Sequence, residues 1–589
     1  MIPIFRHLSR YLVPHARMLV VAIVAMILVD VIAYGVPLAI GYVTDNVYPT
    51  IASDPSRLPL LWHIGAALFA AALLRGVVVH VMIRSFWSLA ESVVRDLRNA
   101  LYFKLQHLDM AFYDRARTGD LMSRATYDIQ LIRNFLAFGI EHRVRIILIS
   151  VTVFGLMVWQ DWRLALAVYT VIPIFVGAIL YYSTRMREAV AHQQRQMGQL
   201  NSRLQESVTG IRVIKAFAVE YQEMERFDHE NSAMLSRDLD AALPQAYLNP
   251  ILLVTEGVGA MVLLAVGGIR VMNGETPLGT LVAFVAYLGI MGFPLRILAF
   301  NTAMVNLARG AADRVTEILS RPDQLRHDSG SRRTAIAGEL TFDHVSFRYD
   351  RGPCVLDDVS FSLAPGSHVG VFGLTGSGKS SLISLVPRFY LPTEGEIRID
   401  GVPIEEWELE TLRSQVGTVL QETFLFSATI RENIGFGRPE ADMDTIRAAA
   451  VAAEIHDFIE SLPDGYETLV GEHGVGLSGG QRQRIAIART IVQDPRILIL
   501  DDCTSSLDAV TERHIQDQLR RLMHDRTTII VGQRLSTLSL ADRIIVLNDG
   551  TVQDVESHDV LLERNDLYRR TWHQQRAAAE VETGEEPYR

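Results

Sequence analysis

Residues 373 to 380 read Gly-Leu-Thr-Gly-Ser-Gly-Lys-Ser and follow directly on the apolar run Val369-Gly-Val-Phe372. Gly-x4-Gly-Lys-Ser at the end of a strand is the spacing of a phosphate-binding loop. Its glycines let backbone N–H groups close around phosphate oxygens, and the helix that follows adds its positive N-terminal dipole. Lys379 brings a point charge to the β- and γ-phosphates, and the Ser380 hydroxyl suits Mg²⁺. A second apolar run, Ile497 to Leu500, ends in Asp501 and Asp502. A carboxylate at the end of a buried strand beside a phosphate loop is placed to hold Mg²⁺, a role that falls to Asp501. An acidic turn after an ordinary strand is the bland alternative, and the phosphate loop weakens it.

These groups need a strand–loop–helix frame, and the chain supplies one only in its second half. Beyond a polar joint around residues 321–338, short β runs alternate with amphipathic helices. The first half is different. Of 589 residues, 49% are hydrophobic and 21% charged, and the apolar excess lies before residue 300. That tilt points to membrane segments. A net charge of -11 argues against a nucleic-acid role driven by a basic field. The two cysteines, Cys354 and Cys503, form neither a disulfide framework nor a metal spacing, which fits a reducing cytosol. The N-terminus lacks a short apolar h-region with a cleavage site. Its mix of Ile4, Phe5, Leu8, Tyr11 and Leu12 with Arg6, His7, Arg10 and His15 suits an interfacial helix over residues 1–17, turned inward at Pro14.

Six stretches reach the ~20 apolar residues that a bilayer span requires: Met18–Ile40, Leu58–Ile83, Gly139–Trp159, Trp162–Tyr182, Tyr247–Met272 and Leu278–Phe300. Basic residues crowd the connections over residues 84–133 and 185–237, whereas the other three connections carry one each, Arg57, Arg163 and Arg270. The long connections and both termini are therefore expected in the cytosol. Their helical pattern continues from the spans without a break, so they read as levers reaching well past the membrane. Ionisable residues inside spans are functional candidates by default. Asp30, His80, Glu256 and Arg296 are such residues, with Asp30, Glu256 and Arg296 expected to line a water-filled cavity. Glu141 and Arg145, four apart, read equally as an intrahelical pair or a cargo contact.

Leu477-Ser-Gly-Gly-Gln481 stands between the phosphate loop and Asp501, and with it the chain resembles the ABC transporter family over essentially its whole length. Six spans ahead of the engine resemble the exporter branch called type I, or type IV in newer usage. Phe112-Tyr-Asp114 with Gly119 to Arg124, and Gly210 to Phe217, resemble that branch's two cytosolic coupling loops. The resemblance implies an all-α six-helix transmembrane domain at 18–310, a linker at 311–337, and an α/β P-loop ATPase domain with an α-helical subdomain at 338–575. An acidic, disordered tail at 576–589 follows. It implies ATP and Mg²⁺ as cofactors. Tyr349 would stack on adenine, and Gly373, Leu374, Thr375, Gly376, Ser377, Gly378, Lys379, Ser380 and Ser381 would hold the phosphates. Ser380, Gln421 and Asp501 would serve the metal. Ser478, Gly479, Gly480 and Gln481 would clasp the γ-phosphate of a nucleotide bound mainly by a second chain, with Ser506-Leu-Asp508 crossing the interface.

Two positions depart from the family pattern. The residue after Asp501 is usually Glu, the general base, and here it is Asp502, one methylene shorter. A base must stand ~2.6–3.2 Å from the proton it takes, so the retreat matters. Gln533 stands where His is usual, and an amide cannot become cationic. Together with Gln421, these would be the catalytic positions of an impaired site, while the signature segment is intact. The combination resembles one subunit of a heterodimeric exporter, whose non-identical partner would carry the working Glu and His and an altered signature. The cargo class that fits is a hydrophobic or amphipathic drug, lipid or peptide. The setting would be the plasma (inner) membrane, in contact with lipid and with no nucleic-acid partner. Competing readings are a homodimer with slow ATPase and an ATP-gated channel or regulatory subunit.

Overall fold

The computed structural model describes residues 8–322, 330–350, 352–421, 423–471, 476–502, 520–532 and 534–583. By internal contacts the chain forms two compact units: Met1–Leu105 with Thr118–Arg321, and Gln106–Arg117 with Pro322–Arg589.

The first unit is all helix. Residues 8–12 are helical and a 3₁₀ turn, Val13–His15, carries Pro14 into α1 (Ala16–Tyr42). Apart from Arg17 at its start and Asp30, helix α1 is apolar all round. Ala22, Ala25, Met26 and Val29 are buried, while Val20, Val24, Ile27, Leu28 and Val31 face outward. A helix with no polar face satisfies its backbone internally and leaves apolar side chains for lipid. Among the described residues, four helical runs are long and apolar enough to cross a membrane: Leu8–Ile51, Pro59–Gln106, Thr118–Tyr169 and Glu220–Met272. A shorter apolar stretch is Leu278–Gly292.

Helix α2 (Pro59–Gln106) runs unbroken for 48 residues, about 70 Å at ~1.5 Å per residue. The continuity of span and connection is therefore literal. A segment of the second unit, α3 (Met110–Arg115), follows, and α4 (Ile140–Tyr169) returns to the first. Asp161 breaks α4 with extended backbone (φ -155°, ψ 100°), and its Oδ1 accepts from the N–H groups of Arg163 and Leu164. Its Oδ2 accepts from Arg270 and from the Thr276 hydroxyl at 2.6 Å. The expected fourth span, Trp162–Tyr182, is interrupted. A turn at Thr170 and Val171 precedes α5 (Ile172–Thr209), where Pro173 has no N–H to continue the ladder.

A short helix, α6 (Ile211–Phe217), leads into α7 (Glu220–Met272), which packs back along α5. Gln193–Asp238, Gln196–Glu230 and Arg203–Glu223 bonds join their polar reaches. Helix α8 (Leu278–Leu319) crosses α1 closely. A Cβ on Gly279 would lie 2.0 Å from the Gly41 carbonyl oxygen, and Asp45 Oδ1 accepts from Gly279 N–H at 2.6 Å.

The second unit has two sheets. The smaller is antiparallel, in the order β2-β1-β4-β5, from β1 (Leu340–Arg348), β2 (Cys354–Leu363), β4 (Glu394–Ile399) and β5 (Val402–Pro403). The larger has the order β10-β9-β3-β8-β7-β6, from β3 (His368–Phe372), β6 (Val416–Val419), β7 (Ile497–Asp501), β8 (Thr527–Val531), β9 (Arg543–Asn548) and β10 (Thr551–Glu556). Strands β9, β3, β8, β7 and β6 are parallel, and only β10 joins antiparallel. Covered on both faces, the central strands read as continuous apolar runs rather than alternating ones. Helix α9 (Lys379–Leu385) leaves β3, and α10 (Gly479–Gln493) precedes β7.

The C-terminal helix α11 spans Asp566–Thr583. The acid-rich composition at 576–589 predicts a disordered end, but Ala577, Ala578 and Ala579 are strong helix formers and carry the helix on. Gln533, Cys503 and Ser506 to Asp508 lie outside the described residues, as do residues 1–7 of the expected interfacial helix and the side chain of Arg296.

Candidate nucleotide site and membrane cavity

The phosphate loop sits where parallel strand β3 ends and α9 begins. Gly376 and Gly378 have φ of +87° and +100°, a region that disfavours any side chain. At Gly373 a Cβ would stand 2.4 Å from both the Leu547 carbonyl oxygen and Ser377 Oγ. The loop can therefore close only with glycine at these points. Ser377 Oγ is buried and has no hydrogen-bond partner among the described residues, in a loop whose curvature suits an oxyanion.

Behind the loop lies a cavity of about 350 Å³, lined by Thr375, Gly376, Gly378, Lys379, Ser380, Ser381, Gln421, Asp501 and Asp502. Parallel pairing of β7 with β8 and β6 brings Asp501 to the same sheet edge as the loop. Ser380, Gln421 and Asp501 thus offer the neutral and anionic oxygens that a hard divalent cation takes, with phosphate oxygens and water completing its shell. The residues fit a Mg²⁺-triphosphate. Val355, Val531 and Gly532 also line the cavity and carry no chemical signal that sequence alone would single out.

The charges inside are strained by burial. Burial holds the Lys379 ammonium below its usual range, against the opposing pull of Asp502 and Asp501, and its Nζ donates to the carbonyls of Gly373 (2.7 Å) and Leu374 (2.9 Å). Burial, then the neighbouring Asp502, raises Asp501 above the ordinary carboxylate range, with Lys379 opposing. Asp502 has left-handed backbone (φ 43°), a conformation that Asp tolerates better than most residues. Gln421 Nε2 stands 3.5 Å from Asp502 Oδ2, a long contact.

Two expected groups lie apart from this wall. Tyr349 bonds through its hydroxyl to Ser381 Oγ at 2.9 Å, at the margin of the cavity. Ser478 is the N-cap of α10 in a capping box: its Oγ accepts from Gln481 N–H, and Gln481 Oε1 accepts from Ser478 N–H at 2.7 Å. The segment Ser478 to Gln481 does not line the cavity of its own chain. Gly479 is exposed at this capped helix N-terminus, whose unpaired N–H groups and dipole suit an anion.

Residues 19–295 match the family described as ABC transporter transmembrane region, and residues 356–505 match the family described as ABC transporter. An uncharacterized ABC transporter ATP-binding protein of Bacillus subtilis, YknU, is 36% identical, over 96% of this chain and 97% of that protein. The chain is an ABC transporter. An ATP-dependent lipid A-core flippase of Syntrophus aciditrophicus is 33% identical, over 96% of this transporter and 93% of the flippase. A bacterial Atm1-family ABC exporter solved with ATP bound superimposes with a TM-score of 0.81 and 28% identity, covering 95% of this chain and 98% of that one. The transporter therefore combines a membrane domain with an ABC ATPase domain in an exporter fold.

The transporter's membrane unit holds a larger cavity, of about 680 Å³, whose polar wall is Asp30, Tyr34, Arg75, Glu141, His142 and Arg145. Arg145 pairs with Glu141 one turn away at 2.7 Å and approaches the buried Asp30 at 3.6 Å. The intrahelical pair and the cavity lining are thus one cluster. Glu256 lies elsewhere, in a small cavity of about 40 Å³ beside Gly292, and His80 is exposed and lines neither.

Proposed function

We propose that this transporter is one half of a heterodimeric exporter whose own nucleotide site binds Mg²⁺-ATP firmly and hydrolyses it poorly. The carrying observation is Asp502. Its short carboxylate follows β7 at the phosphate cavity, where Gln421 Nε2 lies 3.5 Å from its Oδ2. A general base is needed within ~2.6–3.2 Å of the attacking water. Gln533 stands where the family usually has His, and its amide cannot become cationic to take up charge. Lys379, Ser380 and the loop amides still supply binding, and Mg²⁺ held by Ser380, Gln421 and Asp501 would neutralise the phosphate charge. The outward-facing, capped Ser478–Gln481 end would complete a second site whose base comes from a different chain.

The membrane domain in this reading has six spans, with both termini and the ATPase domain in the cytosol of a plasma (inner) membrane. The cargo is hydrophobic or amphipathic. A cavity of 680 Å³ with apolar walls and one charged cluster suits a lipid or drug with a polar end, and the similarity to a lipid A-core flippase points the same way. One observation favours a slow homodimer instead: the Asp502 carboxylate lines the cavity rather than turning away. ATPase assays together with the native mass of the transporting complex separate the two. The chain purified alone should turn over slowly, and Asp502→Glu should raise that rate little while Gln533 remains. Cargo transport by a complex whose native mass is that of two copies of this chain would favour the homodimer, and family-typical hydrolysis by the chain alone would overturn the poorly hydrolysing site.

A further inference from the structure

The second unit takes in a short piece of the membrane half. Helix α3, capped by Asp109 accepting from Phe112 N–H, belongs by its contacts with the ATPase domain, and Phe112 is buried. Two bonds fasten its C-terminal end. Tyr390 Oη donates to Asp114 Oδ2 at 2.8 Å, and Arg115 pairs with Asp350 at 2.9 Å. Both anchors lead to the same ring. Asp350 is the residue after Tyr349, in a turn with φ 48° closed by a Gly352 N–H to Tyr349 carbonyl bond. The Tyr390 ring meets the Tyr349 ring edge to face, with centroids 5.1 Å apart and planes at 85°. Tyr349 in turn reaches Ser381 of the phosphate-loop helix.

We infer that Tyr390 is a positioning residue, tying Asp114 of the cytosolic loop to the Tyr349 ring so that loop position and nucleotide-base binding are linked within one chain. The inference rests on the reading of Tyr349 as the base-stacking ring. The physical chain is short and directional. The Asp114 carboxylate fixes the Tyr390 hydroxyl, the hydroxyl fixes the ring plane, and an edge-to-face contact passes that orientation to Tyr349. Burial and the Asp114 bond together hold the Tyr390 phenol protonated, above its usual range, so it is the donor throughout the working pH range. The surface pair Arg115–Asp350 adds little energy of its own but keeps the turn beside the helix.

The test uses the full-length transporter in lipid nanodiscs and two probes, Mg·ATP and inorganic tripolyphosphate, which lacks a base. Tyr390→Phe keeps the ring and its packing and removes only the hydroxyl. It and Asp114→Asn should each weaken ATP binding by roughly three- to tenfold and leave tripolyphosphate binding unchanged. The double variant should be no weaker than the weaker single, because the two residues act through one bond. Multiplicative losses, equal losses on tripolyphosphate, or wild-type ATP affinity in both single variants would overturn the tie. Tyr349→Ala separates the premises. Selective loss of ATP binding in that variant, with Tyr390→Phe unaffected, sinks the tie alone. Wild-type ATP affinity in Tyr349→Ala sinks the base-ring reading and the inference with it.

Discussion

The nucleotide cavity and the membrane cavity are both charged pockets, yet they are built in opposite ways. In the first, six of the twelve lining residues, from Thr375 to Ser381, come from one strand–helix junction whose backbone geometry glycine sets. In the second, Asp30 comes from α1, Arg75 from α2, and Glu141, His142 and Arg145 from α4, so side chains far apart in sequence do all the work. A backbone cradle must keep its spacing to function. A side-chain cluster can be assembled from many sequences, provided each buried charge has a counter-charge. The difference also assigns energetic roles: the first cavity is paid for by its ligand, the second by internal pairing.

The largest test of that contrast is Lys379→Ala. It removes the one cation that lines the nucleotide cavity among the described residues and should weaken Mg·ATP binding by roughly a hundredfold, with little change in melting temperature without nucleotide. Equilibrium nucleotide binding checks it, and a loss of fold stability instead would mean that the cavity is held by its own charges. Arg145→Met makes the mirror experiment. It removes the Arg145 guanidinium from Asp30 and Glu141 and should lower the stability of the transporter by about 2–4 kcal/mol, with ATP affinity unchanged. Thermal unfolding followed by tryptophan fluorescence reads this, and an unchanged midpoint would remove the idea of an internally paired cluster.

Smaller effects sharpen the picture. Ser478→Ala removes one half of a capping box and should cost about 1 kcal/mol of α10 stability, leaving ATP binding to the chain's own loop unaffected. Hydrogen exchange along Gly479–Gln493 reports it, and weakened binding at the chain's own site would place the segment inside that cavity. The smallest effect is on pH. Asp501 has a folded-state pKa raised by burial and by Asp502. Between the ordinary and the raised value the folded chain binds more protons than the unfolded one, so stability falls as pH rises through that window. Asp501→Asn should flatten the slope of nucleotide-free stability against pH there, and an unchanged slope would show that Asp501 is not the group responsible.

Legibility followed the same division. The loop from Gly373 to Ser380 and the carboxylate of Asp501 could be read because each sits in a contiguous pattern with a chemical reason. Gly532 and Val355 could not, because what they contribute to the cavity is the path of their backbone. Glu141 and Arg145 were visible as neighbours one helical turn apart, but nothing local shows that Asp30, over a hundred residues earlier, shares their charge. Tyr390 carries no motif at all, and its bond to Asp114 exists only because the loop is folded against the ATPase domain. At the C-terminus, acidic composition outweighed the alanines in the sequence reading, and local helix propensity won in the fold.

The account stands most directly on what this chain's pocket holds while the transporter works. Photo-crosslinking with a base-labelled 8-azido-ATP under turnover, with the partner chain present, resolves the nucleotide on each subunit. The expected result is intact triphosphate on this chain and diphosphate on its partner; diphosphate on both in equal measure would contradict the assignment of a poorly hydrolysing site to Asp502.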